Sequence, residues 1–145
     1  HVDDSDVFRF FRWWNDQEVL RFTTTPQPLT WERHLAWFME NYRNPYWYVG
    51  EFARAPAPPC PFGAVRFDLD GDGSNISVVV DPWWRGRGLG TELIAFGTQS
   101  FLADVPKVTV VARIHHLNAP SVRAFEKAGY RHDHDALPRR YFVYA

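Results

Sequence analysis

The chain has 145 residues, 46% of them hydrophobic and 17% aromatic, with 16 Lys and Arg against 17 Asp and Glu for a formal net charge of -1. That length supports one domain with its own core and is too short for two, and the charge balance excludes a chain built to coat nucleic acid. No apolar run approaches the roughly 18 residues of a membrane span, and no basic segment followed by the apolar stretch of a signal peptide opens the chain, so the expectation is a cytoplasmic protein that engages neither membrane nor nucleic acid.

The chain opens on His1 without a methionine, which leaves a trimmed start, a missing first strand or fusion to another domain as expectations, beside a homo-oligomer. From Asp3 to Glu18, Val7, Phe10, Phe11 and Trp14 recur at helical spacing behind the acidic DDSD, which suits a helix N-terminus. TTTPQP reads as a connection, and Thr30 as the cap of a second helix with Glu32 in its first turn. Trp31, Leu35, Phe38 and Tyr42 mark the buried face of that helix, with His34, Trp37 and Asn41 as a separate stripe. Past NPY the period switches to two. YWYVGEF, PFGAVRFDL and NISVVVD read as three strands of a meander, joined by the Pro-rich APAPP and a Gly-Asp turn. Helical spacing returns from Gly88 to Leu102, and VPKVTVVARI reads as a strand. NAPSVRAFEKAG reads as a short helix with Asn118 at its cap, Pro120 in its first turn and Gly129 just past its end. YRHDHD and RRYFVYA read as a closing pair of strands. The order predicts a single mixed α/β domain, residues 1–145, around a central sheet.

RGRGLGTEL, Arg85–Leu93, lies between a strand and a helix, where free N–H groups at the helix start can hold a phosphate. Gly86, Gly88 and Gly90 give G-x-G-x-G, so the dinucleotide fingerprint G-x-G-x-x-G fails on spacing, and the P-loop fails for want of a lysine. What remains is R-x-x-G-x-G, Arg85, Gly88 and Gly90, set just beyond Asp81-Pro82. This resembles the pyrophosphate loop of the GNAT superfamily of N-acetyltransferases, and Asn118-x-x-Ser121-x-x-x-Phe125-x-x-x-Gly129-Tyr130 resembles its second cofactor element. The resemblance implies the GNAT fold, a mixed and mostly antiparallel sheet flanked by about four helices, and acetyl-CoA as co-substrate. The cofactor residues it implies are Val78, Val79 and Val80 along the strand, Arg85, Gly86, Arg87, Gly88, Leu89 and Gly90 in the loop, and Asn118, Ser121 and Phe125 downstream. In many relatives a tyrosine protonates the leaving thiolate; here Phe125 stands in its place and cannot donate.

The N-terminal third resembles the subfamily that acetylates the 4-amino group of UDP-linked deoxyamino sugars, as in pseudaminic acid biosynthesis. Trp13-Trp14-Asn15-Asp16 replaces its Trp-Arg-Asn-Asp, Val19 and Arg21 sit near the expected places, and His34-Leu35-Ala36-Trp37-Phe38 matches its H-x-x-W-F. The implied acceptor residues are Trp13, Asn15, His34 and Trp37, with Trp14 where an arginine is usual. His34 is the candidate base, since an imidazole near pKa 6.5 suits proton transfer at neutral pH; its alternative is a histidine packed to fix the helix. Asp68 and Asp70 are acidic alternatives, and Asn75 is an amide that cannot serve as a base. His115 and His116 lie beside Asn118, within reach of a thioester or in an exposed loop. A protein N-terminal or aminoglycoside-type acetyltransferase, and a non-catalytic acyl-CoA-binding module, stay open as other readings.

The remaining motifs read as structure. DLDGDG fits the start of a calcium loop, but Val79 stands at the twelfth position, where glutamate is needed, so a polar hairpin turn is expected. HHLN and HDHD offer no metal-ligand spacing on a fixed element, and no metal is expected. Cys60, the lone cysteine, reads as a small core residue.

Overall fold

The computed structural model describes residues 1–23, 27–53 and 56–145; residues 24–26 of the TTTPQP connection and 54–55, where the Pro-rich loop begins, lie outside the described residues. Among the described residues, β1 (Trp47–Phe52), β2 (Cys60–Asp70), β3 (Gly73–Val80), β4 (Thr109–His115), β5 (Arg131–Ala136) and β6 (Arg139–Tyr144) form one sheet in the order β1-β2-β3-β4-β6-β5. All neighbours run antiparallel except β3 and β4. These two are parallel because α4 (Leu89–Asp104) returns the chain across one face between them. No helix among the described residues is long and apolar enough to cross a membrane.

Alternation along the strands builds a core on each face. On one face Val65, Phe67, Ile76, Ala112, Ile114 and Phe142 pack with Leu93, Ile94 and Phe101 of α4 and Val122 and Phe125 of α5 (Ala119–Lys127). On the other, Trp47, Ala64 and Val79 meet Phe10 and Trp13 of α1 (Val7–Trp14) and Phe38 of α3 (Trp31–Asn41). Gly97 lets α4 lie against β2: a Cβ there would stand 2.5 Å from Val65 Cγ1. Gly97→Ala is therefore expected to destabilise the domain by about 1–3 kcal/mol through overpacking, read as a lowered thermal midpoint.

The helix expected over Asp3–Glu18 is broken. A 3-10 turn at Asp4–Asp6 leads into α1, and α2 (Gln17–Arg21) starts afresh after Asp16, whose ψ of 136° is extended. The break is stitched by Asn15, whose side chain donates to Leu29 O (3.2 Å) and accepts from Leu29 N (2.7 Å). Spacing alone misses it because Val19 of α2 still packs against the same core. With it the described residues hold five helices, where about four were expected. On α3 the buried positions are His34 and Phe38, while Trp31, Leu35 and Tyr42 are half-buried, because α1 and the sheet together cover a wider arc than one stripe. Cys60 is exposed at the first position of β2 rather than buried in the core. The Asp68–Gly73 stretch is the hairpin turn between β2 and β3, with Asp70 opposite Gly73. The N-terminal residues run beside β1, where Val2 N donates to Trp47 O at 3.0 Å.

Candidate active site

β3 and β4 pair only from Gly73–Ile76 to Thr109–Ala112, although β3 continues to Val80 and β4 to His115. Each strand stays with its antiparallel neighbour: Val80 remains opposite Gly63 of β2, and His115 opposite Arg139 of β6. The inner edges of Ser77–Val80 and Arg113–His115 therefore part, leaving backbone groups free to pair with an extended ligand.

At the open end of β3, Asp81 Oδ1 accepts from Trp83 N (2.9 Å) and sets a turn into the glycine loop. Gly86 and Gly88 adopt φ of 74° and 79°, and Gly88 is the N-cap of α4 with no side-chain cap. The first-turn N–H groups are thus left for a ligand. A Cβ built on either glycine meets nothing within 4 Å, so both glycines front open space. A cleft of about 780 Å³ begins there, lined by Val78, Val79, Val80, Arg85, Gly86, Gly88, Leu89, Gly90, Asn118 and Ser121. Arg87 does not line the cleft and instead stacks over the Trp84 ring at 5.0 Å. Arg85 lines it, but its Nη1 is paired with Asp16 Oδ1 (2.8 Å) and its Nε donates to Val80 O (3.1 Å). Phe125 lies at the splay, away from the loop. The cleft's further cations, Arg123 and Lys127, were missed, although their i, i+4 spacing behind the Asn118 cap is a readable signal. Val19 and Arg21 of α2, singled out in the sequence only through the N-terminal resemblance, also wall it, together with Phe22.

A second cleft, about 270 Å³, passes through the splay. Ile76, Val78, Ala112, Ile114, Ser121 and Phe125 reach it from the α4–α5 face; Ser77, Arg113, His115, Arg139, Phe22 and Thr23 line it from the opposite side. The two clefts share Phe22, Val78, Asn118 and Ser121, so one opening runs from the glycine loop to the far face. His115 Nδ1 accepts from Leu117 N (3.2 Å), which leaves the proton on Nε2. Burial, with His116, Arg139 and Arg21 nearby, lowers its pKa. Arg139 Nη1 donates to Phe22 O at 2.9 Å. No Asp or Glu is among the described residues lining this cleft.

A family model described as "Acetyltransferase (GNAT) domain" matches residues 1–131. The chain belongs to the GNAT acetyltransferase family. No curated protein matches the sequence. Among solved structures, the chain is similar to a domain from Methanocaldococcus jannaschii at 19% identity and a TM-score of 0.84, covering 99% of this chain and 94% of that one. It is similar to yncA from Salmonella typhimurium, solved with its cofactor acetyl-CoA, at 19% identity and a TM-score of 0.72, covering 99% and 91%. It is also similar to the aminoglycoside acetyltransferase AAC(6')-Ib in complex with coenzyme A and kanamycin, at 15% identity and a TM-score of 0.75, covering 100% and 92%.

Within this GNAT domain the four expected acceptor residues are scaffold, and none lines either cleft. Trp13 is fully buried and its indole donates to Asp81 Oδ2 (2.8 Å), tying α1 to the turn before the glycine loop. Asn15 is spent on Leu29. Trp37 carries the Arg66 guanidinium 5.1 Å above its ring, and Arg66 pairs with Asp68 at 2.6 Å, which also occupies that alternative base. His34 has no exposed surface; its Nε2 donates to Val7 O (2.8 Å), and Phe11, Trp31, Trp37 and Phe38 surround the ring. Burial lowers its pKa below 6.5. A base walled off from both clefts cannot reach an amine, so His34 is the packed histidine that joins α3 to α1. Among the described residues no group of three or more His, Cys, Asp or Glu side chains is gathered to hold a metal.

Proposed function

We propose that this domain transfers an acetyl group from acetyl-CoA to a primary amine by direct attack, and that the amine is the 4-amino group of a nucleotide-linked deoxyamino sugar. The observation that carries the acetyl-transfer reading is the opening that runs from the glycine loop through the parted strands to the opposite face. The residues present fit acetyl-CoA. Open space at Gly86 and Gly88, with the uncapped start of α4, suits a pyrophosphate; Arg123 and Lys127 supply charge; the edge of β3 at Val78, beyond the Val80 carbonyl that Arg85 holds, suits the amide-bearing arm. Bound there, acetyl-CoA supplies a thioester whose carbonyl carbon an amine can attack.

The chain's own residues then do three things. Phe125 and Val78 give the splay an apolar wall that excludes water. His115, with Nδ1 occupied by Leu117 N–H, offers an Nε2–H donor and no lone pair at that atom. Arg113 and Arg139 make the acceptor side cationic, which disfavours an ammonium there, so the acceptor binds as the free amine and no strong base is needed. The same charge favours an acceptor bearing phosphates over an aminoglycoside, which is a polycation and would seek carboxylates. The resemblance of the N-terminal third points to the sugar nucleotide through the sequence pattern alone, since His34 and Trp37 serve here as scaffold.

The test is coenzyme A release from acetyl-CoA with UDP-4-amino sugars, N-terminal peptides and aminoglycosides in parallel. Release confined to the sugar nucleotides is expected. Release with peptides or aminoglycosides instead overturns the acceptor, and silence throughout from a protein that still binds acetyl-CoA makes it a non-catalytic acyl-CoA-binding module.

A further inference from the structure

We infer that Arg113, supported by Arg139 and His115, forms an anion-recognition site at the acceptor side of the splay and selects amines that carry a phosphate or diphosphate. The inference rests on the acetyl-transfer reading and adds the residue that sets specificity. Ala112 and Ile114 are buried in the core under α4 and α5, so strand alternation sends Arg113 to the opposite face, where it is exposed. It is the first residue beyond the last β3–β4 pair, Ile76 with Ala112, and so stands where the strands begin to part.

Arg113 has no ion-pair partner among the described residues, whereas Arg12, Arg66, Arg85 and Arg140 each hold an aspartate at 3.0, 2.6, 2.8 and 3.2 Å. Arg139, opposite His115 in the β4–β6 register, spends one N–H on Phe22 O and keeps others. His115 has its Nδ1 occupied by Leu117 N–H and therefore presents only a donor. Two guanidiniums and an imidazole N–H, with no carboxylate among the described residues lining the cleft, make a site of donors and positive charge. Phosphate oxygens accept several such bonds at once, and guanidinium forks match them bidentately. The glycine loop and the cations Arg123 and Lys127 belong to the other cleft, so the two anion sites are separable by mutation.

The experiment is calorimetric titration of UDP and of inorganic pyrophosphate into protein saturated with coenzyme A, for wild type, Arg113→Gln and Arg123→Gln. UDP is expected to bind the loaded wild type, and Arg113→Gln to weaken it by about tenfold or more with coenzyme A affinity unchanged. Arg123→Gln is expected to do the reverse. Pyrophosphate binding without UDP binding, lost in Arg113→Gln, upholds the anion site but points to a simpler phosphate-bearing amine than a sugar nucleotide. If neither probe binds the loaded protein, or both bind Arg113→Gln as they bind wild type, the anion site is overturned and acetyl transfer stands. If coenzyme A itself fails to bind, the acetyl-transfer reading falls and this inference falls with it.

Discussion

Replacing Gly88 by tryptophan is expected to lower acetyl-CoA affinity by about 100-fold or more while the protein remains folded. Gly88 sits at φ 79°, and a Cβ added there meets no atom beyond its chain neighbours within 4 Å, so the side chain is directed into the cleft and not into the core. The left-handed backbone adds a strain of about 1–2 kcal/mol, which lowers the thermal midpoint by a few degrees without unfolding the domain. Gly88→Ala separates the two effects. It carries the same backbone strain with only a methyl group in the cleft, so it should reproduce the loss of thermal midpoint and little of the loss of affinity. Acetyl-CoA binding by the tryptophan variant at wild-type strength would remove the glycine loop from the cofactor site.

His34→Ala is expected to cost stability and not catalysis. It removes a fully buried ring and leaves the Val7 carbonyl without its donor, for a loss of about 2–4 kcal/mol. Turnover by the folded fraction should stay within about twofold of wild type, because the ring reaches neither cleft. A turnover collapse at unchanged thermal midpoint would restore His34 as the base. The same burial has a pH consequence. With its pKa lowered in the folded state, His34 stays neutral where the unfolded chain, titrating near 6.5, takes up a proton. Its contribution to stability is therefore fully present above about pH 6.5 and declines as the pH falls from there toward the lowered folded value. His34→Gln keeps a neutral donor for Val7 O, so its thermal midpoint should show a flatter dependence on acidification than wild type.

The elements of this protein were legible in its sequence wherever the cause is local. The change of period from helix to strand past Pro45 marks the meander. The Asn118 side chain caps its helix by accepting from Ser121 N, and Gly129 closes it at φ 98°, because capping and left-handed turns depend on residues a few positions apart. The glycine loop was legible for the same reason, since positive φ and an uncapped helix start are properties of Gly86 and Gly88 themselves. What only the tertiary structure decided is which surfaces meet. Helical spacing places His34 on a stripe beside Phe38, but only the packing of α1 over α3 makes that stripe interior. Likewise β3 and β4 each read as ordinary strands, and their parting follows from the antiparallel partners each keeps, Gly63 for Val80 and Arg139 for His115. Arg113 is one exposed residue of a strand until that parting makes it the wall of a cleft, because a site built from segments far apart in the chain exists only once long-range packing has brought them together.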